Sequence, residues 1–101
     1  MAQVLVLYNT PTDSAAFNCY YEQTHIPLAN KIPGLRSYVI SSGPVQAPGG
    51  NAPHLVAVLT FDSMADLNAA LASPEGQAAA ADLSNFASGG ATLLFYDSKP
   101  V

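Results

Sequence analysis

The stretch Tyr20-Tyr21-Glu22-Gln23-Thr24-His25-Ile26-Pro27-Leu28 sets two phenols, a carboxylate and an imidazole close together in the chain. An imidazole titrates near neutral pH and can take and return a proton, while a phenol can hold a reacting oxygen by hydrogen bonding. Only ten residues carry a formal charge and only two are histidines, so most of the available chemistry lies in this stretch. On a helix turning about 100° per residue, with His25 at zero, Tyr21 falls near -40°, Leu28 near -60°, Phe17 near -80°, Thr24 near -100° and Tyr20 near -140°. His25 therefore stands at the margin of an apolar arc, with Glu22 at about +60° on its other flank and near enough to touch it. Two roles fit that position. His25 either caps a fraying helix end, where the dipole favours its charge, or lines a pocket between helix and sheet as a general acid or base, with Tyr21 orienting a substrate oxygen.

The other candidates are weaker. His54 sits beside Pro53 at the end of a flexible loop, the place of an exposed strand-end histidine. Arg36 and Tyr38 share one face of a strand, where an anion or phenol could meet them, although a surface ion pair accounts for Arg36 equally well. Cys19 is alone, which excludes an intrachain disulfide and a cysteine-based metal site, and it reads as a small semi-buried side chain. Two distant histidines and scattered carboxylates make no metal-ligand set, and there is no glycine-rich phosphate loop, nucleophile elbow or flavin fingerprint.

These residues need elements to position them. Val4 to Tyr8 reads as a strand ended by Asn9-Thr10-Pro11-Thr12, after which Asp13 or Thr12 can cap a helix running from Ser14 to about Leu28. Pro27 has no N–H for the carbonyl of Gln23, so that helix should kink or stop there. Leu35 to Ser42 is a second strand, Gly43 to Pro53 a loop, and Leu55 to Phe61 a third strand. Asp62-Ser63 caps a helix over about Met64 to Ala72. Ser73-Pro74 opens an alanine-rich one from Glu75 to about Phe86, able to lie close to its support. Gly89-Gly90 then precedes a last strand, Ala91 to Tyr96.

The order β-α-β-β-α-β predicts an α+β, ferredoxin-like fold in one domain over residues 1–101: a four-stranded antiparallel sheet with its helices on one face. Val4-Leu5-Val6-Leu7, Leu55-Val56-Ala57-Val58-Leu59 and Leu93-Leu94-Phe95-Tyr96 are apolar on both sides, so the second face must be covered as well. A second copy packed sheet to sheet is the economical cover. The net charge of -4, with basic residues only at Lys31, Arg36 and Lys99, argues against nucleic acid and anionic membrane surfaces as partners. A strand pattern that starts almost at Met1, with no basic leader and no apolar run long enough to span a bilayer, leads us to expect a cytoplasmic protein.

The chain resembles the EthD family of the dimeric α+β barrel superfamily. The resemblance rests on Val4-Leu5-Val6-Leu7-Tyr8, on Phe17 with Tyr20-Tyr21, on Thr24-His25-Ile26-Pro27-Leu28, on Pro33-Gly34-Leu35 and on Phe61-Asp62-Ser63; the Tyr-Tyr-x-x-x-His-x-Pro-Leu pattern is its specific part. It implies a homodimer of facing sheets with a pocket in each subunit between helices and sheet. The family is associated with oxidative ether degradation, and its relatives include decarboxylases, cyclases of aromatic polyketides and cofactor-free monooxygenases. The implied protein is a small enzyme acting without metal or coenzyme on an apolar, aromatic or polyketide-like molecule. His25 and Tyr21 would be catalytic, and Phe17, Tyr38 and Phe61 substrate contacts. The alternative is an accessory protein that holds a hydrophobic intermediate for a partner oxygenase. The chain lacks tryptophan, and Arg36 is its one basic residue near the expected pocket, which leaves little to clamp a carboxylate.

Overall fold

The computed structural model describes all residues, Met1–Val101. Strand β1 (Ala2–Tyr8) lies inside the sheet, paired antiparallel with β3 (Leu55–Phe61) on one side and β4 (Ala91–Asp97) on the other. Strand β2 (Ser37–Ile40) flanks β3, which gives the order β2-β3-β1-β4 of a ferredoxin-like sheet. β1 begins two residues earlier than its apolar run because Ala2 pairs with Phe61 and Asp97 on its two neighbours. β2 is shorter than the Leu35–Ser42 pattern. Even so, the N–H groups of Arg36 and Ser41 still bond the carbonyls of Thr60 and Val56 just beyond its ends.

Ala2, Val4, Val6 and Tyr8 alternate along β1 and are all buried under the helices, with Leu59 and Ala57 beside them on β3. Helix α1 (Ser14–Tyr20) starts at Asp13, whose carboxylate accepts the N–H of Ala16. The helix neither stops nor breaks at Pro27. It widens into a π-helical turn over Tyr21–His25 and continues as α2 (Ile26–Ala29). The N–H of Ile26 bonds the carbonyl of Tyr21, five residues back rather than four. In a regular helix the ring of Pro27 would press on the carbonyl of Gln23, and widening the turn carries that carbonyl aside.

The widened turn also corrects the helical wheel. The extra residue brings His25 round towards the stripe of Phe17 and Tyr21, so His25 and Ala29 are buried while Thr24 is exposed. Cys19, expected to be semi-buried, is exposed; two residues from Phe17 it lies across the helix from the core.

Helix α3 (Met64–Ala72) is capped by Ser63, which accepts from Asp66, and Ser73 caps α4 (Pro74–Phe86) by accepting from Gly76. Gly76 rests against the backbone of Ala70 and Leu71, and a Cβ there would run into the Ala70 carbonyl. α3 and α4 are therefore tightly joined. No helix is long and apolar enough to cross a membrane. On the face away from the helices, Val39, Val58, Leu5 and Leu94 form one apolar row across all four strands. Val39 at its β2 end is 57% exposed and Leu94 at its β4 end 47%.

Candidate functional site

A cavity of about 60 Å³ lies between the inner face of the sheet and the helices, walled almost entirely by apolar side chains. Val4, Val6 and Tyr8 of β1 form its floor, and Tyr38 enters from β2; Tyr21 and His25 come from the π turn, and Leu83 comes from α4. The phenol oxygens of Tyr21 and Tyr38 are 2.5 Å apart. One hydroxyl donates to the other, and the Tyr8 phenol stands beside them, so the three hydroxyls form one cluster in which an O–H can turn to a ligand. Burial pushes the pKa of Tyr8, Tyr21 and Tyr38 up, so all three stay neutral donors.

His25 is only 5% exposed, its ring centre 4.7 Å from that of Phe86 and 5.3 Å from that of Tyr21. Its Nδ1 lies 2.9 Å from Oδ2 of Asp82, a buried residue of α4. The other carboxylate oxygen, Oδ1, accepts from the Tyr20 hydroxyl at 2.6 Å and from Asn85 Nδ2 at 3.0 Å. No buried side-chain nitrogen or oxygen lacks a hydrogen-bond partner. The Nε2 of His25 bonds no protein group, and the residue lines the cavity. Burial lowers the imidazole pKa against the pull of Asp82. Burial would raise the carboxyl of Asp82, yet the donors Tyr20, Asn85 and His25 outweigh it and hold the group below the usual range. The arrangement is a neutral imidazole with a free lone pair in the wall of an apolar chamber, next to a phenol able to donate.

Sequence reasoning brought Tyr21, His25 and Tyr38 to one cavity, where the structure also puts them. It placed Phe17 and Phe61 there as substrate contacts, but neither belongs to the cavity wall. Phe17 stacks behind Tyr21 at 5.8 Å between ring centres, and Phe61 is fully buried at the end of β3. Both rings pack the core. The carboxylate beside His25 is Asp82 rather than Glu22, which is exposed. Asp82 falls with Ala79 and Phe86 at the i, i+3, i+7 positions of α4, a lone acid on an apolar stripe, and that signal could have singled it out. Tyr20, at the far edge of the apolar arc, is a partner of Asp82.

Arg36 forms a surface ion pair with Asp62 at 2.6 Å, so the cavity has no cationic side chain in its wall. His54 is half-buried rather than exposed, its ring edge-on to Phe17 and its Nε2 2.9 Å from Asn18 Oδ1. No group of three or more histidine, cysteine, aspartate or glutamate side chains is gathered as a metal site.

Residues 9–90 match the EthD domain, and the chain belongs to the EthD family. It is 45% identical over 103 residues to an uncharacterized 11.0 kDa protein in the thcB-thcC intergenic region of Rhodococcus erythropolis, spanning 100% of this chain and 98% of that one. A crystal structure of an ethyl tert-butyl ether D (EthD) family protein from Bacillus halodurans C-125 is 31% identical, with a TM-score of 0.89, over 98% of this chain and 99% of that one. Two more distant structures share the fold alone. SnoaB, a cofactor-independent oxygenase from Streptomyces nogalater, is 13% identical with a TM-score of 0.69, over 99% of this chain and 94% of that one. A dimeric ferredoxin-like protein of unknown function from Thermobifida fusca is 18% identical with a TM-score of 0.69, over 94% of this chain and 88% of that one.

Proposed function

We propose that this EthD protein is a small homodimeric enzyme that carries out acid–base chemistry, without metal or coenzyme, on a neutral and apolar carbonyl or phenolic molecule of aromatic or polyketide type. The observation that carries this reading is the His25 Nδ1–Asp82 bond, which leaves Nε2 without a protein partner on a residue that lines the same cavity as the Tyr21–Tyr38 phenol pair. Nε2 takes a proton from an acidic C–H or O–H of the substrate. The electron pair left behind moves onto the substrate oxygen that a phenol O–H holds, and the imidazolium then returns the proton to the product. An apolar wall without a cation favours an uncharged ligand over a carboxylate. The enolate or phenolate so formed can attack a second carbonyl of the same molecule and close a ring. It is also the electron-rich form that dioxygen oxidises, the class of reaction for which the fold neighbour SnoaB is described.

Two observations support the homodimer: the apolar row Val39–Val58–Leu5–Leu94, which a second sheet would cover, and the dimeric state given for the neighbour from Thermobifida fusca.

Proton abstraction can be read before the natural substrate is known. Small 1,3-diketones and hydroxyaryl ketones incubated in deuterated water should exchange their acidic C–H faster with the protein than without it. His25→Gln should reduce that enhancement by about 10²- to 10⁴-fold. Exchange that is equally fast with His25→Gln would sink the acid–base reading. Saturable binding with neither exchange nor turnover would instead assign the cavity to an accessory protein that holds an intermediate.

A further inference from the structure

We propose that the second copy of the chain completes the cavity: its edge strand β2 lies along β4, closes the open side at Leu93, and sets the partner's Ile40 against Leu93 and Phe95. This rests on the proposed homodimer and on the cavity as the reacting chamber, and it makes a single subunit insufficient for the reaction.

Of the residues that line the cavity, only Ala80 on α4 and Leu93 on β4 are exposed, so its open side lies between these two elements. Leu93 stands opposite Val6 in the antiparallel register, and Phe95 opposite Val4. Both therefore point to the helix side of the sheet, where Val4 and Val6 are buried. No helix covers them there: Leu93 is 38% exposed and Phe95 50%. Leu94 and Tyr96, on the opposite face, are exposed too. Four consecutive apolar residues are thus bare on both faces of an edge strand, an arrangement that lone chains avoid.

Neither a facing sheet nor a ligand covers this edge by itself. A facing sheet reaches Leu94 and Tyr96, whereas a ligand in the mouth reaches Leu93 and Phe95. The chain carries a matching edge at the other end of the sheet. On β2, Val39 is exposed on the outer face, and Ile40, paired with the buried Ala57, is exposed on the helix side. A two-fold axis running along the strands sets β2 of each copy beside β4 of the other, and the twist of the sheets draws the two edges together. Each apolar edge then covers the other on both faces. At the mouth this removes water from the chamber, which strengthens the hydrogen bonds that hold the substrate oxygen.

Thiol labelling with iodoacetamide tests this without a ligand. The exposed Cys19 is first removed as Cys19→Ser, and Leu93→Cys, Phe95→Cys or Leu5→Cys is added to that protein. Each variant is labelled above and below its dimer dissociation constant, measured by sedimentation equilibrium. Leu93→Cys and Phe95→Cys should both react about tenfold or more slowly in the dimer than in the monomer. If Leu5→Cys alone is protected, the sheets merely face each other and the proposal is overturned; a chain that is monomeric throughout overturns it together with the homodimer. Phe95→Cys decides where Leu93→Cys does not fold. Two further readings concern the reaction. C–H exchange per subunit should fall about tenfold or more as wild-type protein is diluted to monomer, and Ile40→Glu, outside the cavity wall of its own subunit, should lower exchange and dimer affinity together. Exchange per subunit that is constant on dilution overturns the need for the partner even where Leu93 is protected. Failure of the base reading is distinct, since it shows as exchange indifferent to His25→Gln and leaves the labelling rates untouched.

Discussion

Tyr21, on a helical turn, and Tyr38, on an edge strand, meet hydroxyl to hydroxyl at 2.5 Å and so tie the helical layer to the sheet across the cavity. This bond is part of the fold as well as of the site. Tyr38→Phe takes from the Tyr21 hydroxyl its closest partner and leaves it only the Tyr8 phenol, which should destabilise the protein by about 1 kcal/mol. Removing both hydroxyls should cost less than the sum of the two single changes, because the bond they share is lost only once. Urea unfolding of the two single variants and the double variant measures the difference. Strict additivity would show that the two phenols do not interact.

Stability should peak between about pH 6.5 and pH 10. Burial holds the His25 imidazole below its ordinary value of 6.5, so as pH falls below 6.5 the unfolded chain binds more protons than the folded one and stability declines. Asp82, held below 3.8, adds to that loss at still lower pH. At the alkaline end, Tyr8, Tyr21 and Tyr38 keep their protons when folded, while the unfolded chain ionises near pH 10, so stability falls again as pH rises through that value. Denaturant midpoints measured across the range should trace this dome. In the Tyr38→Phe variant the alkaline limb should be shallower; an unchanged limb would remove the phenols from the explanation.

Much of this arrangement was legible in local sequence. Asp13, Ser63 and Ser73 announce helix starts because capping depends on neighbouring N–H groups, and apolar runs announce strands for a similarly local reason. The site was only half legible. Tyr21 and His25 share a short stretch, but the partner of His25 lies 57 residues further on, and only packing of α4 against the π turn brings Asp82 to it. Glu22 was the nearer carboxylate in sequence, and a regular 3.6-residue wheel favoured it. Pro27 widens the turn, reverses the burial of Thr24 and His25, and leaves Glu22 in solvent. Phe17 and Phe61 belong to the expected elements, but which side of a ring faces a cavity depends on three-dimensional packing that spacing does not encode.

Gly76 offers a test of how closely the helices must approach. Alanine in place of glycine ordinarily favours a helix interior by about 1 kcal/mol. Here its methyl would meet the Ala70 carbonyl and the Leu71 backbone, neither of which can swing aside as a side chain can. The clash should prevail, with a net loss of about 1 to 3 kcal/mol in Gly76→Ala by thermal or denaturant unfolding. Since Gly76 also lines the cavity, ligand binding should weaken in the same variant. A gain in stability would show that α4 is free to shift away from α3.

His25 is buried, so its replacement has two separable consequences. His25→Ala empties a core position and takes one donor from Asp82, which should cost about 2 to 4 kcal/mol of stability. His25→Gln retains an N–H able to reach the carboxylate and should cost less, while losing the proton-transfer function to the same extent. Equal exchange defects with unequal unfolding free energies would separate chemistry from packing. If the exchange defect instead followed stability across the two variants, the histidine would be structural.

The apolar row across the sheet gives the proposed dimer its own test. Leu5 lies between Val58 and Leu94 in register, at the middle of the face turned away from the helices. Leu5→Asp would set a charge at the centre of two facing sheets, and the two-fold relation would bring a second one near it. An uncompensated buried charge costs about 3 kcal/mol or more, enough to raise the dimer dissociation constant at least a hundredfold. The helix-side core is untouched, because Leu5 and the buried Val4 and Val6 point to opposite faces of β1. Sedimentation equilibrium should therefore find wild-type dimer and Leu5→Asp monomer at the same micromolar concentration, with the monomer still giving the circular dichroism of a folded α+β chain. A Leu5→Asp protein that remains dimeric would place the contact between copies elsewhere, on the exposed edge of β2 or β4.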